Sequence, residues 1–139
     1  MTSFTRLLTL ACLPVLAFGL IGLAPDEPDM EAVMKGLKNN LQAINKSLAD
    51  PANDAATLAS LHEMEVLTLS GKLATPPRAE VPEAKWDQHV TAYRADMARL
   101  LIALAQMEVD VLEGRHEKAA ADVRGVLIAL RNESHDKYQ

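Results

Sequence analysis

The sequence predicts an all-α protein: an antiparallel up-down-up-down four-helix bundle preceded by an N-terminal signal peptide. After an uncharged N-terminal stretch, apolar residues recur at alternating intervals of three and four, as in amphipathic helices. Proline and glycine residues divide this pattern into four segments of roughly 20 to 30 residues, and short loops between such helices favour antiparallel neighbours.

Residues 1–24 are interpreted as a secretory signal peptide. Arg6 is the only charged residue before Asp26, and the stretch from Leu7 to Ala24 is uncharged. A basic start, an apolar centre and small residues at the end are typical of such a leader. Cleavage after Ala24 or after Gly19 both remain open, as does an uncleaved anchor, because the run approaches the length that spans a thin bilayer. We expect export to the periplasm, with no membrane association after cleavage.

Two helices are expected in the first half of the body. The first covers residues 28–49, and its apolar residues are spaced as an a/d seam. Asp50 and the proline after it end this helix, and Asn53 or Asp54 is expected to cap the second, at residues 55–74. The apolar stripes are Met30, Met34, Leu37, Leu41, Ile44 and Leu48 on the first helix, and Leu58, Leu61, Met64, Leu67 and Leu73 on the second.

Two further helices complete the body. Residues 82–113 form the third, because Pro82 suits a first helical turn and the intervals of four and three continue after it. Gly114 provides the turn into the fourth helix, at residues 117–137. The inward-facing residues are expected to be Trp86, Val90, Tyr93, Met97, Leu100, Leu104, Met107 and Val111 on the third helix, and Ala120, Val123, Leu127 and Leu130 on the fourth.

Length and composition exclude several classes of protein. A chain of 139 residues fits one domain, here residues 25–139. Its single cysteine, Cys12, lies in the leader, which excludes a disulfide scaffold, a zinc–thiolate site and covalent c-type haem. The chain carries 14 basic and 19 acidic residues, a poor composition for a nucleic-acid partner. We expect no such partner.

The motifs of common enzymes are also absent from the sequence. It has no glycine-rich phosphate loop, no nucleophile elbow and no Glu-x-x-His pair repeated on two helices, which a di-iron site requires. His62 and His116 each precede a glutamate but lack the second histidine of a zinc-binding helix. We therefore expect no catalytic residues.

One end of the predicted bundle brings a methionine and a histidine to similar depth. Met34 lies about five residues inside the first helix and His135 about four from the C-terminus, at ~1.5 Å rise per residue. A thioether facing an imidazole is the pair that holds haem iron and raises its potential. Arg131, one turn before His135, suits a haem propionate. The alternatives are a core-filling methionine, a histidine that complements the helix dipole and a solvated arginine.

Three segments of the sequence resemble those of the cytochrome b562 family. The members of this family are soluble periplasmic four-helix bundles that bind haem b. The resemblance extends over the whole body. It rests on the order and spacing of three segments, Asp29-Met30-Glu31-Ala32-Val33-Met34 through Asn40-Leu41-Gln42-Ala43-Ile44, then Ala74-Thr75-Pro76-Pro77, and finally Leu130-Arg131-Asn132-Glu133-Ser134-His135-Asp136-Lys137-Tyr138-Gln139.

The resemblance implies one non-covalent haem b per chain and a role in single-electron transfer. The family's axial ligands fall on Met34 and His135, and its propionate-pairing arginine falls on Arg131. Tyr93 and Met97 take places where the family has phenylalanines, and Leu37 and Leu41 follow Met34 along the same seam. A monomer that exchanges electrons with an unidentified redox partner protein is implied.

Several departures leave the ligand set open. Met30, one turn before Met34, and His89, one turn before Tyr93, are alternative ligands, and the fourth helix is one residue longer than in the family. A haemless exported bundle that binds copper, or that acts as a stress or chaperone-like module, is the alternative function, because thioethers favour Cu(I). The methionines behind this alternative are Met30, Met34, Met64, Met97 and Met107.

Overall fold

The computed structural model describes residues 28–76 and 81–138, with side chains up to Glu133. These residues are helical, with turns between the helices and no strand, which confirms the all-α prediction. The predicted signal peptide lies outside the described residues. The α-helices are α1 (Met30–Ser47), α2 (Asp54–Leu73), α3 (Trp86–Leu112), α4 (His116–Asp122) and α5 (Ile128–Tyr138).

The predicted fourth helix contains a π-helical turn, Val123–Leu127, between α4 and α5. The backbone continues through this turn, so that α4, the turn and α5 form one helical rod, called the fourth rod below. Short 3-10 turns, Pro51–Asn53 and Glu83–Lys85, precede α2 and α3. The four predicted helices are thus present, each within a few residues of its expected bounds.

Side-chain caps define the start of α1 and of the turn before α2. Asp29 accepts a hydrogen bond from the Glu31 N–H at 3.0 Å, which satisfies one of the free amides of the first turn. Asp50 accepts from the Ala52 N–H at 2.9 Å. Asn53 occupies the N-cap position of α2, as one of the two expected residues, but makes no side-chain cap bond, and Asp54 is already helical.

Contacts between helices join α1 to α2 at both ends and α2 to α3. The hydroxyl of Thr57 donates to that of Ser47 at 2.7 Å, which ties the start of α2 to the end of α1. Gly71, near the end of α2, lies beside Val33 of α1 and Met97 of α3. The fourth rod packs against α3.

The apolar interior consists of a main cluster and a small one. The main cluster contains residues from the α1, α2 and α3 segments and from the fourth rod. They are Leu41, Ile44, Leu48, Leu61, Met64, Leu104, Met107, Val111, Ala119, Val123 and Leu127. The small cluster consists of Tyr93 and Met97, with Met30 packed against them. Continuous burial therefore covers only part of the length of the bundle.

The predicted stripes hold along most of their length, with exceptions at Met34, which is 36% exposed, at Leu73 and on the fourth rod. The spacing predicts that Leu73 faces inward, but its side chain is 71% exposed, whereas the next residue, Ala74, is fully buried. Leu73 is the last residue of α2, so the helical spacing no longer governs which side chain turns inward. On the fourth rod Ala120 and Leu130 are only half-buried, and Ala119 takes the buried position.

Gly114 forms the turn between α3 and α4, as the sequence predicts. Its φ is +73°, a left-handed conformation that glycine adopts without steric cost. The next amide, of Arg115, donates to the Asp110 carbonyl at 2.7 Å. A substitution at Gly114 would strain this turn even though space is available around it.

Gly71 permits the close approach of α2 to its neighbours. A Cβ at this position would lie 2.7 Å from Cε of Met97 and 3.2 Å from Cγ1 of Val33. We expect Gly71→Val to lower the free energy of unfolding by about 1–3 kcal/mol, because added atoms in a packed interior displace their neighbours. Urea denaturation followed by circular dichroism measures this change.

The control is Gly125→Ala in the π-helical turn, where a Cβ meets nothing within 4 Å. This variant should be neutral or more stable by up to about 1 kcal/mol, because alanine restricts the unfolded chain more than glycine does. Equal unfolding midpoints for the two variants would contradict the close packing inferred at Gly71.

Candidate functional site

The apolar line on α1 is buried in its C-terminal half and is most exposed at Met34. Ile44 and Leu48 are 0% and 3% exposed and Leu41 is 8% exposed, while Leu37 is half-buried against the same cluster. Met34, one step further toward the N-terminus, is 36% exposed. Met34 is therefore the most exposed side chain of this line.

Tyr93 forms the centre of the small apolar cluster, which packs against Met30 at the start of α1. Its hydroxyl donates to the Gly71 carbonyl at 3.0 Å and also lies 3.7 Å from the sulphur of Met30. Burial raises the pKa of Tyr93 above its ordinary value. The single hydroxyl hydrogen is given to the closer carbonyl, so the Met30 sulphur is in contact with the hydroxyl without being its main acceptor.

Tyr93 and Met97 lie together, as expected of two residues one turn apart on α3. Both are almost fully buried, at 2% and 6% exposure. Their cluster extends the interior toward the end of the bundle at which α1 begins. The structure thus brings Tyr93, Met97 and Met30 into contact, and Met30 lies on the same helix as Met34.

Arg131 is exposed, and its guanidinium bonds to a neighbouring amide. Its Nε and Nη2 donate to Oδ1 of Asn132 at 3.2 and 2.9 Å. This acceptor is uncharged, so the positive charge of Arg131 remains available to an anion. His135 belongs to α5 by its backbone, but its side chain lies outside the described residues.

The alternative ligands are both engaged in other contacts: Met30 with Tyr93, as above, and His89 with Trp86. The rings of His89 and Trp86 stack, with centroids 5.5 Å apart and planes at 24°. Of the methionines behind the copper alternative, Met64 and Met107 are buried in the main cluster, which separates them from Met30. Within the described residues, no group of three or more His, Cys, Asp or Glu side chains is placed to hold a metal ion.

A buried carboxylate at the turn between α3 and α4 was not identified from the sequence. The Asp110 side chain is fully buried and accepts from Nε and Nη2 of Arg115 at 2.8 and 2.5 Å, and from Nζ of Lys118. The hydrogen bond from Lys118 is the main cause of the lowered pKa of Asp110, which burial opposes. The signal available in the sequence was an acidic residue beside the buried seam residue Val111, with two cations just after the turn.

The pKa of a second carboxylate, Glu65 on α2, is shifted in the opposite direction, upward. Burial raises the pKa of Glu65, the nearby charge of Glu108 on α3 raises it further, and His62 partly offsets both effects. A negative charge beside Glu65 disfavours the ionised form of its carboxyl group. This pair forms no metal-binding group with His62 among the described residues.

The Tyr93 hydroxyl is expected to contribute modestly to stability. Tyr93→Phe should lower the free energy of unfolding by about 1 kcal/mol, the usual value for one hydrogen bond. The loss stays small because the Gly71 carbonyl keeps a second donor, the Ala74 N–H at 3.2 Å. Urea denaturation at neutral pH measures it.

The same variant tests the raised pKa of Tyr93. A phenol whose pKa is higher in the folded state contributes stability below its unfolded value, about 10, and loses that contribution as the pH rises through the folded value. Tyr93→Phe should therefore lose less stability between about pH 9 and 11 than the unaltered protein does. An identical alkaline profile for both proteins would refute the assigned burial effect.

Comparisons with known proteins add no identification. No family model matches the chain, and no curated protein matches it. Among the described residues, no helix has both the length and the apolar character needed to cross a membrane.

Proposed function

We propose that the chain is a periplasmic b-type cytochrome that binds one haem b non-covalently, through Met34 and His135, and transfers single electrons. The observation that carries this proposal is the exposure of Met34 in an apolar line that is otherwise buried or half-buried. The α1 line is buried at Leu41, Ile44 and Leu48 but leaves Met34 exposed. A planar apolar group bound there would bury side chains that the protein itself leaves accessible.

The residues at this end suit haem b. Met34 offers a thioether at the end of an apolar line, and Tyr93 and Met97 form a buried apolar wall nearby. Leu37 and Leu41 continue the apolar surface toward the main cluster. Arg131 offers a positive charge that bonds to a neutral amide, and a haem propionate would accept from it more strongly.

Each residue has a distinct part in this function. Met34 and His135 would bind the iron, and the resemblance to cytochrome b562 supports this assignment for His135. The haem would supply a single-electron couple, whose potential a thioether ligand would raise. Arg131 orients the propionate edge. If Met34 and His135 both bound the iron, the chain would leave no ligand position open for a substrate, and we infer that the protein is not an enzyme.

We further propose that α1, α2, α3 and the fourth rod alternate in direction, as in an up-down-up-down bundle. The end of α1 contacts the start of α2 through Ser47 and Thr57, and the start of α1 contacts the end of α2 through Val33 and Gly71. Gly71 also accepts from Tyr93, near the start of α3. These contacts support opposite directions for α1 and α2 and for α2 and α3.

Export of a cleaved monomer completes the proposal. The uncharged run from Leu7 to Ala24 supports a signal peptide, and a periplasmic electron carrier needs a separate redox partner protein. N-terminal sequencing of the protein recovered from the periplasm tests export and locates the cut. Recovery of the intact chain from the cytoplasm would contradict it.

Haem titration of the purified apo protein tests the proposed function. We expect absorbance changes that saturate at one haem per chain, with a thermal unfolding midpoint that rises on binding, because a ligand that binds only the folded state stabilises it. Folded protein that takes up no haem would refute the proposal. Tight Cu(I) binding without haem uptake would instead favour the copper-binding alternative.

A further inference from the structure

The fourth rod changes its helical geometry for one turn. In Val123–Leu127 the helix is of the π type, and the Ile128 N–H donates to the Val123 carbonyl, five residues back. Before the turn, the Val123 N–H still bonds to Ala119 and Ala120. A single π turn inside an α-helix accommodates one residue more than the α-helical path requires, and such turns often mark functional sites.

Buried residues recur at intervals of four across this turn. Ala119, Val123 and Leu127 are 0%, 1% and 2% exposed. In a straight α-helix each interval of four residues turns about 40° past a full circle, so Leu127 would lie about 80° from Ala119. One residue taken up by the π turn removes about 100° of rotation, which returns Leu127 to within about 20° of Ala119.

The same loss of about 100° of rotation applies to the positions that follow Leu127. Without the π turn, position 131 would lie about 120° from Ala119 and position 135 about 160°. With one residue taken up, these angles fall to about 20° and about 60°. The side chains next to Leu127 agree with this register, because Ile128 and Leu130 are half-buried and Ala129, between them, is exposed.

We propose that the π turn is a register device. It absorbs one supernumerary residue of the fourth rod and thereby aligns positions 131 and 135 with the buried line of Ala119, Val123 and Leu127. The purpose of this alignment rests on the proposed function, since these two positions are those assigned to propionate pairing and iron ligation. The register itself is a property of the chain alone.

Gly125 marks where the extra residue is accommodated. It lies at the centre of the turn and is exposed, and a methyl group added at its Cα would meet no atom within 4 Å. Its neighbours Arg124 and Val126 are exposed as well. This face of the turn is therefore open to solvent, and we expect that one residue can be removed there without disturbing the packing of Val123 or Leu127.

Length variants at Gly125 test the proposal. Deletion of Gly125 should convert the turn to regular α-helix while keeping Leu127, Arg131 and position 135 in register. Insertion of one alanine after Gly125 should rotate everything beyond it by about 100°. Gly125→Ala, which keeps the length, is the control for loss of the glycine itself. Thermal unfolding of the apo proteins and the spectra of their haem complexes are the two readouts.

The expected result is an asymmetry between the two length changes. The deletion variant should melt at or above the temperature of Gly125→Ala and show an unchanged haem spectrum, whereas the insertion variant should melt lower and lose that spectrum. A deletion variant that melts lower than the control would overturn the proposal. If no variant, nor the unaltered chain, binds haem, the proposed function fails, yet the melting temperatures still decide the register.

Discussion

Replacing Met34 with alanine is expected to convert the haem complex from a six-coordinate to a five-coordinate form. The variant removes the thioether that we assign to one axial position, and alanine offers no replacement ligand. Its reduction potential should fall, because a thioether ligand raises the potential of haem iron. Absorption spectra of the oxidised and reduced complexes, with potentiometric titration, measure both effects.

Met34→Ala should leave the apo protein almost unchanged, since the side chain is 36% exposed and lies beyond the main cluster. A folding defect is therefore not the expected cause of any spectral change. Met64→Leu is a matched control, because Met64 is buried in the main cluster and a volume-conserving exchange costs less than about 1.5 kcal/mol. A spectrum unaffected by Met34→Ala would move the ligand to another residue, with Met30→Ala as the next variant to test.

Asp110→Asn is expected to produce the largest loss of stability among the polar substitutions considered. The carboxylate is fully buried and joins Arg115 and Lys118 across the turn between α3 and α4. Removing one partner of such a group is destabilising because the remaining charges lose part of their compensation. Arg115 keeps Glu113 and Lys118 keeps Asp122 as partners. Arg115 and Lys118 are 41% and 51% exposed, so water relieves part of the loss. We expect a fall of several degrees in Tm at neutral pH.

The effect of Asp110→Asn should depend on pH in a defined direction. The pKa of Asp110 is lowered by folding, so its carboxylate contributes stability above the unfolded value, about 3.9, and loses it as the pH falls through the folded value. Lys118 has a raised pKa, and its contribution is lost only as the pH rises through that value. The Tm difference should be constant between about pH 5 and 9 and should shrink below about pH 4.

Asp122→Asn is the control for this prediction. Asp122 also pairs with Lys118, at 3.1 Å, but its side chain is 30% exposed, and exposed ion pairs contribute about 1 kcal/mol or less. Its Tm should change much less than that of Asp110→Asn at every pH. Equal effects of the two substitutions would show that burial of Asp110 adds nothing to the pair.

The helices could be predicted from the sequence because their signals are local. Intervals of three and four give the seams of α1 and α3, and Gly114 marks its turn since few other residues adopt that conformation. The exposure of Leu73 could not be predicted in this way, because periodicity does not show at which residue the packing between two helices ends. The π turn also escaped prediction, since it depends on register between distant buried residues.

The candidate site could be predicted only as a set of positions. Spacing places Met34 on the same line as Leu41, but whether the core covers it depends on how all four rods pack. The bond between Tyr93 and Gly71 joins residues far apart in sequence, and the partners of Asp110 lie beyond a turn. Such contacts follow from tertiary structure, so residue type and spacing alone do not specify them.

The most direct test of the account is the absorption spectrum of the purified full-length protein, reconstituted with haem and recorded oxidised and reduced. We expect the spectrum of a six-coordinate low-spin haem in both states, with sharp bands on reduction and full reversibility. This result would require two axial ligands from the chain, as proposed for Met34 and His135. A five-coordinate spectrum, or a haem that separates from the folded protein on gel filtration, would contradict the account.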